Sequence, residues 1–407
     1  MDRIYFKQLS EYLEYFPCVA ILGARQCGKT TLLSFLDTKW KIFDLEKGQD
    51  FDLINNDPDL FFRLNDENVA IDEAQFLPSL FSSLRVAIDK NRKKTGRFII
   101  TGSSSPDLVK SISESLAGRI GIIEMSPFTF SEISQSFESN FTKCLLQKDY
   151  FKNNYHDFKP KSKDKNIYKY LLQGGYPEPC LKNSEKFHTM WMQNYIKTYL
   201  ERDLLKLFPG INENRYRAFL QSISNISGNV INYSEIATVL GVSQPTVRDY
   251  FDIAHKSFLF RKISSFSKDA VKRIIKHPKG YYSDSGLLCY LLRIRDENSL
   301  LTHPKIGNIW EGMVIEEIIR TLKSNSISFD YYYYRTSSGA EVDLVLESDF
   351  GLIPIEIKHT KKINKKELRS LSDFINERKC KMGYIISNSE NPQMITENIA
   401  SLPFNYL

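Results

Sequence analysis

Gly23-Ala24-Arg25-Gln26-Cys27-Gly28-Lys29-Thr30 decides the reading of the N-terminal third of the chain. The run fits GxxxxGK[ST]. It follows the apolar stretch Cys18-Val19-Ala20-Ile21-Leu22 and opens onto Thr31-Leu32-Leu33-Ser34-Phe35-Leu36. A strand therefore runs into the loop and a helix leaves it, which is the context the motif requires. Glycines let the backbone curl until successive N–H groups converge on phosphate oxygens, and the helix N-terminus adds its positive dipole. Gly23, Ala24, Arg25, Gln26, Cys27, Gly28, Lys29, Thr30 and Thr31 form the expected nucleotide-binding set. Lys29 is expected to reach the β- and γ-phosphates, and the Thr30 hydroxyl to bind Mg²⁺.

Working outward, Val69-Ala70-Ile71-Asp72-Glu73 is an apolar strand ending in two acids. Asp72 is expected to hold the Mg²⁺, and Glu73 to orient the water that attacks the γ-phosphorus. Phe98-Ile99-Ile100-Thr101-Gly102-Ser103-Ser104-Ser105 is a further strand ending in hydroxyls, with Thr101 or Ser103 able to sense the γ-phosphate. In a parallel sheet the carboxyl ends of strands face the ligand crevice. Arg119 follows Leu116-Ala117-Gly118. It reads either as a cation for the transition state, reaching across a subunit interface, or as an ordinary surface ion-pair residue. Trp40 to Leu45 is another strand, and helices intervene, as at Ser79 to Asn91. Alternation of this kind implies a parallel α/β sheet covered on both faces. A guanine-reading [NT]KxD motif after an apolar strand is missing, since Ile88-Asp89-Lys90 does not fit, so ATP rather than GTP is the expected nucleotide.

The chain has 407 residues, with 42% hydrophobic and 26% charged, which are globular proportions. Its length suggests two to four domains. No apolar run is long enough for a membrane-spanning helix. Met1 to Phe6 lacks the pattern of an export leader, and the six cysteines (18, 27, 144, 180, 289 and 380) lack zinc spacing, so free thiols in a reducing cytoplasm are expected. Net charge is +6, concentrated in the middle. Residues 1–140 carry 16 Lys and Arg against 20 Asp and Glu, whereas 141–280 carry 24 against 12. That excess is either a footprint for a polyanion such as DNA or a solvated lysine-rich surface.

The middle of the chain contains Ser234-Glu235-Ile236-Ala237-Thr238-Val239-Leu240-Gly241-Val242-Ser243-Gln244-Pro245-Thr246-Val247-Arg248, a helix-turn-helix rhythm. Gly241 makes the turn and Ser243 caps the second helix. Gln244, Thr246 and Arg248 would face a major groove if the unit binds DNA, while Asp249 and Asp252 would repel phosphate. Protein docking is the other use of such a unit. Lys268, Lys272, Arg273, Lys276 and Lys279 add positive charge. Gly174-Gly175-Tyr176-Pro177 reads as a turn between helices.

Near the C-terminus, Gly339 to Leu346 reads as a strand and Pro354-Ile355-Glu356-Ile357-Lys358 as its neighbour. Period two puts Glu356 and Lys358 on one face. Asp343 and Glu356 could share a divalent cation, with Lys358 polarising water or holding a phosphate. The bland reading is a half-buried strand with outward Glu and Lys.

Ala24 to Leu32, Phe43-Asp44-Leu45-Glu46, Ile71 to Gln75, Thr101 to Ser104, Leu116 to Arg119, Gly174 to Glu178 and Tyr199-Leu200-Glu201-Arg202-Asp203 together resemble the prokaryotic AAA+ ATPases with a C-terminal domain of unknown function. The resemblance covers nearly the whole chain. It implies a P-loop ATPase core (1–135), a winged helix (211–300) and a restriction-endonuclease-like α/β domain (301–407), while a shift to Ser, Asn, Lys and aromatics reads 136–167 as a linker or insertion and the mostly helical 168–210 reads as a lid. For the last, the PD-(D/E)XK resemblance expects an acid on the preceding helix, and Glu311 fits that place; Val342 stands where the pattern has proline. ATP and Mg²⁺ are the implied cofactors. DNA or another nucleic acid, and a second copy of the chain, are the implied partners.

Overall fold

The computed structural model describes residues 3–103, 112, 114–162, 166–199, 204, 210–267, 277–364 and 368–407. They divide into two compact units, Met1–Phe128 with Lys256–Phe258, and Thr129–His255 with Leu259–Leu407.

Six consecutive buried residues make β1 (Cys18–Gly23), and burial on both faces puts it inside the first unit's sheet. The other strands are β2 (Lys41–Asp44), β3 (Val69–Asp72), β4 (Phe98–Gly102) and β5 (Ile120–Met125). Their order is β2-β3-β4-β1-β5, and every pairing is parallel. Helices Ile4–Tyr15, Lys29–Leu33 and Leu80–Lys90 cover it. β5 goes beyond the strands expected from sequence. It is an edge strand with Ile122 and Glu124 exposed, so its apolar content is diluted.

The second unit begins with short helices, Phe130–Ile133, Asn140–Leu146 and Tyr150–Asn154. Residues 136–167 are thus not a bare linker: Phe141 and Phe151 are buried, and the Phe141 ring meets Tyr384 edge-on at 5.4 Å. Helices Ile167–Gln173, Pro177–Lys182 and Glu185–Thr198 follow. Gly174 and Gly175 form the turn between the first two. The buried carboxylate of Asp284 accepts the Gly175 N–H at 2.7 Å and the Leu287 N–H at 2.8 Å. Gly174 has φ 71°, and a side chain there would meet that carboxylate. Arg202 and Asp203 lie outside the described residues.

Next come helix Glu213–Ser224, β6 (Asn229–Val230), helices Tyr233–Leu240 and Gln244–Lys256, then β7 (Phe260–Ile263) and β8 (Lys279–Tyr282). The three strands form an antiparallel sheet ordered β6-β8-β7.

Helix Ile306–Ser324 leads into a six-stranded sheet of β9 (Asp330–Arg335), β10 (Glu341–Ser348), β11 (Gly351–Lys358), β12 (Gly383–Ser387), β13 (Gln393–Thr396) and β14 (Ile399–Pro403). The order is β13-β14-β12-β11-β10-β9. The sheet is mixed: β11, β12 and β14 run parallel, whereas β9, β10 and β13 pair antiparallel. β13 and β14 were not among the strands expected from sequence.

Candidate functional sites at two sheet ends

The loop after β1 is held by backbone fit. A Cβ on Gly23 would sit 2.2 Å from the Met125 carbonyl oxygen. Gly28 has φ 100°, which suits only glycine, and Gln26 takes a left-handed φ of 58°. The Lys29 side chain folds back into the loop. Its Nζ donates to the carbonyls of Gly23 (3.2 Å) and Ala24 (3.0 Å), and the residue is 5% exposed. Thr30 Oγ1 donates to Asp72 Oδ2 at 2.6 Å. Glu73 stands just past β3 with φ 57°, a left-handed conformation that costs energy for a side-chain-bearing residue, and its carboxylate accepts from Gln75 Nε2.

Thr101 is fully buried, donates to Asp72 Oδ1 and accepts the Glu73 N–H at 3.3 Å. Its hydroxyl therefore links the Asp72 carboxylate to the Glu73 backbone. Ser103 is partly exposed at the end of β4, while Ser104 and Ser105 lie outside the described residues. Arg119 is not near the loop. It precedes Ile120, which pairs with Cys18 at the opposite end of the sheet, and its Nε and Nη2 clasp Asp89 at 2.7 and 2.9 Å. This pair holds the Asp89 carboxyl below its ordinary pKa. Arg25 pairs with Glu46 at 3.2 Å.

Sequence reading missed Arg3. Its guanidinium donates to the Cys27 carbonyl at 3.1 Å and the Ser126 carbonyl at 2.6 Å, tying the loop to the N-terminal segment. No local motif marks it.

The second cluster lies in the other unit. Glu311, Glu341, Asp343 and Glu356 are drawn together with Lys279, Lys358 and Tyr281. Lys279 Nζ donates to Glu311 Oε1 and Glu341 Oε1, both at 2.7 Å, and stands 3.9 Å from Asp343 Oδ1. Tyr281 also donates to Glu311. Asp343 Oδ2 accepts the Ile357 N–H at 2.8 Å, and Lys358 Nζ meets Glu356 Oε1 at 2.6 Å. The register of β9 against β10 slips between Val342 and Val345, the interval holding Asp343. Bulges commonly re-aim a side chain in this way.

Asp343 and Glu356 are 7% and 6% exposed, so the bland reading of outward-facing residues does not hold. Burial, reinforced by Asp343, raises Glu356 to about 8 and Glu311 to about 7. Burial also raises Asp343, with Lys279 and Lys358 opposing it. Burial opposes the charge on Lys279, yet Glu311, Asp343 and Glu341 hold its pKa above the ordinary lysine value. Lys279 is thus neutralised by carboxylates rather than adding to a basic patch. Lys268, Lys272, Arg273 and Lys276 lie outside the described residues. Among the described residues, no three His, Cys, Asp or Glu side chains are arranged to hold a metal ion.

In the helix-turn-helix segment, Gly241 makes the turn with φ 61°, and Ser243 Oγ accepts the Thr246 N–H at 3.2 Å. Thr246 Oγ1 meets Ser243 Oγ at 2.8 Å. The Arg248 guanidinium lies over the Tyr233 ring at 4.5 Å, and Gln244 is half-buried.

Residues 15–134 match the AAA domain family. Residues 164–298 and 306–407 match two domains of unknown function, DUF8612 and DUF4143. Residues 15–134 are therefore a P-loop ATPase domain of AAA type, an α/β fold built on the parallel sheet of the first unit. An uncharacterized protein of Mycobacterium tuberculosis, Rv2008c, is 33% identical over 355 residues, which is 87% of this chain and 73% of that protein. The chain belongs to the same family as Rv2008c. The Methanocaldococcus jannaschii protein MJ1544 is 23% identical, over 92% of this chain and 83% of its own. Among solved structures, the Walker-type ATPase PABY2304 of Pyrococcus abyssi has 17% identity and a TM-score of 0.45, covering 71% of this chain and 94% of its own. Among the described residues, no helix is long and apolar enough to cross a membrane.

Proposed function

We propose that the chain hydrolyses ATP with Mg²⁺ at the carboxyl ends of β1 and β3, and couples nucleotide state to a DNA-handling C-terminal half. The observation that carries this reading is the 2.6 Å contact between Thr30 Oγ1 and Asp72 Oδ2, beside an ammonium folded into the loop. A hydroxyl and a carboxylate are hard oxygens, and their convergence fits Mg²⁺. Mg²⁺ bound there would offset negative charge on the β- and γ-oxygens.

The chain's own groups do the rest. Lys29 exchanges the carbonyls of Gly23 and Ala24 for phosphate oxygens, while the loop N–H groups fix the triphosphate. Glu73 accepts a proton from water as its oxygen bonds to the γ-phosphorus. The bond from that phosphorus to the bridging oxygen breaks, leaving ADP and phosphate. Ser103 is the γ-phosphate contact in this scheme. Thr101, bonded to the Asp72 carboxylate and the Glu73 backbone N–H, is a positioning residue. Arg119 can serve only from a second copy of the chain, because its own loop is at the far end of the sheet. Replacing Lys29 with Ala removes the cation from the loop. ATP turnover, followed by phosphate release, should fall by about two orders of magnitude or more. A variant that still turns over at the parent rate sinks the assignment.

For the C-terminal half, the order of helices and strands over 213–282 and the central basic excess support a winged helix that handles DNA through Gln244, Thr246 and Arg248. A second reading, a regulatory switch with a protein-docking winged helix and an inactive nuclease-like scaffold, is favoured by the carboxylate cluster. Glu311, Asp343 and Glu356 do not fit a divalent cation as they stand, because Lys279 occupies oxygens of the set. No cleavage step is assigned to them or to Lys358. The six free cysteines fit a reducing cytoplasm.

A further inference from the structure

The lysine that breaks the metal fit is delivered by a hairpin from another part of the chain. Lys279 opens β8, where it pairs with Ile263 of β7 and Val230 of β6. Tyr333 of β9 holds both legs of the connection between β7 and β8. Its N–H donates to the Ser264 carbonyl at 3.0 Å, its carbonyl accepts the Phe266 N–H at 2.6 Å, and its hydroxyl donates to the His277 carbonyl at 2.7 Å. Two residues beyond Lys279, Tyr281 donates to Glu311. The ammonium is thus led to the acids by fixed backbone on either side, and the residue is 5% exposed.

The acids themselves behave as a set built around a cation. Four carboxylates meet two ammonium groups, and Glu356 Oε2 is buried with no hydrogen-bond partner among the described residues. Buried carboxylate oxygens are normally satisfied, because leaving one bare costs its full desolvation. A divalent ion bonds carboxylate oxygen at about 2.0–2.6 Å. It cannot share Glu311 Oε1 with an ammonium already 2.7 Å away.

We propose that Lys279 is the resident cation of this cluster, its ammonium standing where a divalent metal would bind, so that Glu311, Asp343 and Glu356 take a metal only once that ammonium is removed. This rests on reading those acids as a hard-oxygen set. It turns the nuclease-like fold from an open metal site into one closed by the neighbouring hairpin.

Mn²⁺ binding to the nucleotide-free full chain tests this, with free Mn²⁺ read by electron paramagnetic resonance. The cluster's share is the binding that Asp343→Asn abolishes. The natural chain should show no such share at millimolar Mn²⁺. Lys279→Met and Lys279→Gln (the latter keeping two donors of similar reach) should each gain one Mn²⁺, with affinity raised at least about tenfold. If Lys279→Met melts early, Mn²⁺ should restore its melting temperature, and Asp343→Asn should cancel the rescue. Mn²⁺ already bound by the natural chain at Asp343 overturns the proposal. So does a failure of both Lys279 variants to gain binding or melting rescue. A variant that gains Mn²⁺ yet cuts no DNA counts against a nuclease and leaves the closed-site proposal standing.

Discussion

Gly23 has no room for a side chain, and the reason is backbone rather than rotamer. The atom a Cβ would strike is the Met125 carbonyl oxygen, 2.2 Å away in the paired strand β5. Gly23→Ala must therefore push β5 or the loop aside. We expect ATP affinity to fall by more than tenfold with the chain still folded, measured by calorimetry; unchanged affinity would contradict the loop's geometry. Lys161 offers a prediction of another kind. Burial pulls its pKa down to about 8, with Glu317 acting the other way. The unfolded chain holds that proton up to the ordinary lysine range near 10.5. Between about 8 and 10.5 the unfolded state binds more protons, so this group makes stability rise with pH across that window. Below it, both states are protonated and the contribution is flat. Lys161→Met should remove the rise, read as the variant-minus-parent melting temperature at several pH values. An unaltered difference across the window would show that the ammonium is well solvated.

At the scale of elements, legibility follows how local the determining contacts are. The loop after β1 was readable because eight consecutive residues carry the motif, and the acids Asp72 and Glu73 because an apolar strand delivers them. Strands β3 and β4 announce themselves as buried apolar runs. β5, β13 and β14 do not. β5 and β13 expose part of their length at sheet edges, and β14 is a five-residue strand with serine and proline among its residues. Glu311, Asp343 and Glu356 were legible as residues, but Glu341 and the closure by Lys279 were not. Lys279 lies 32 positions before Glu311 and 62 before Glu341, and nothing in its neighbours distinguishes it from a basic surface residue. The Asp284 contact to Gly175 spans 109 positions and was equally hidden.

The anchoring of helix Phe130–Ile133 is a third long-range case. Glu317 accepts the N–H groups of Phe130 (2.9 Å) and Ser131 (3.2 Å) and the Ser131 hydroxyl (3.0 Å). Thr129 and Glu132 complete a capping box at the same end. Glu317→Ala strands two buried backbone donors in one step. A loss of about 2–4 kcal/mol in urea unfolding is expected, since each unsatisfied buried donor costs about 1–3 kcal/mol. A change below about 0.5 kcal/mol would mean that water replaces the carboxylate, as happens at exposed sites.

For the whole molecule, charge separates two uses of the C-terminal half. The 24 basic against 12 acidic residues over 141–280 contrast with 13 against 14 over 301–407. If the excess is a DNA footprint, binding must release counterions, and log affinity must fall linearly with log salt. Each phosphate neutralised adds about 0.9 to the slope. Several contacts would then weaken affinity by orders of magnitude between roughly 50 and 200 mM salt. Arg248 makes the test residue-specific: its guanidinium now lies over Tyr233 and would have to leave that ring to reach a base or phosphate. Arg248→Ala should reduce the slope by about 1 if it meets phosphate, and relax sequence preference if it meets a base. A flat salt dependence, or a slope indifferent to Arg248, points instead to a docked protein partner, because such an interface does not depend on displacing condensed counterions. Measuring the slope with ATP and with ADP would extend the test to coupling: a DNA-handling arm driven by the nucleotide must bind more tightly in one state than in the other.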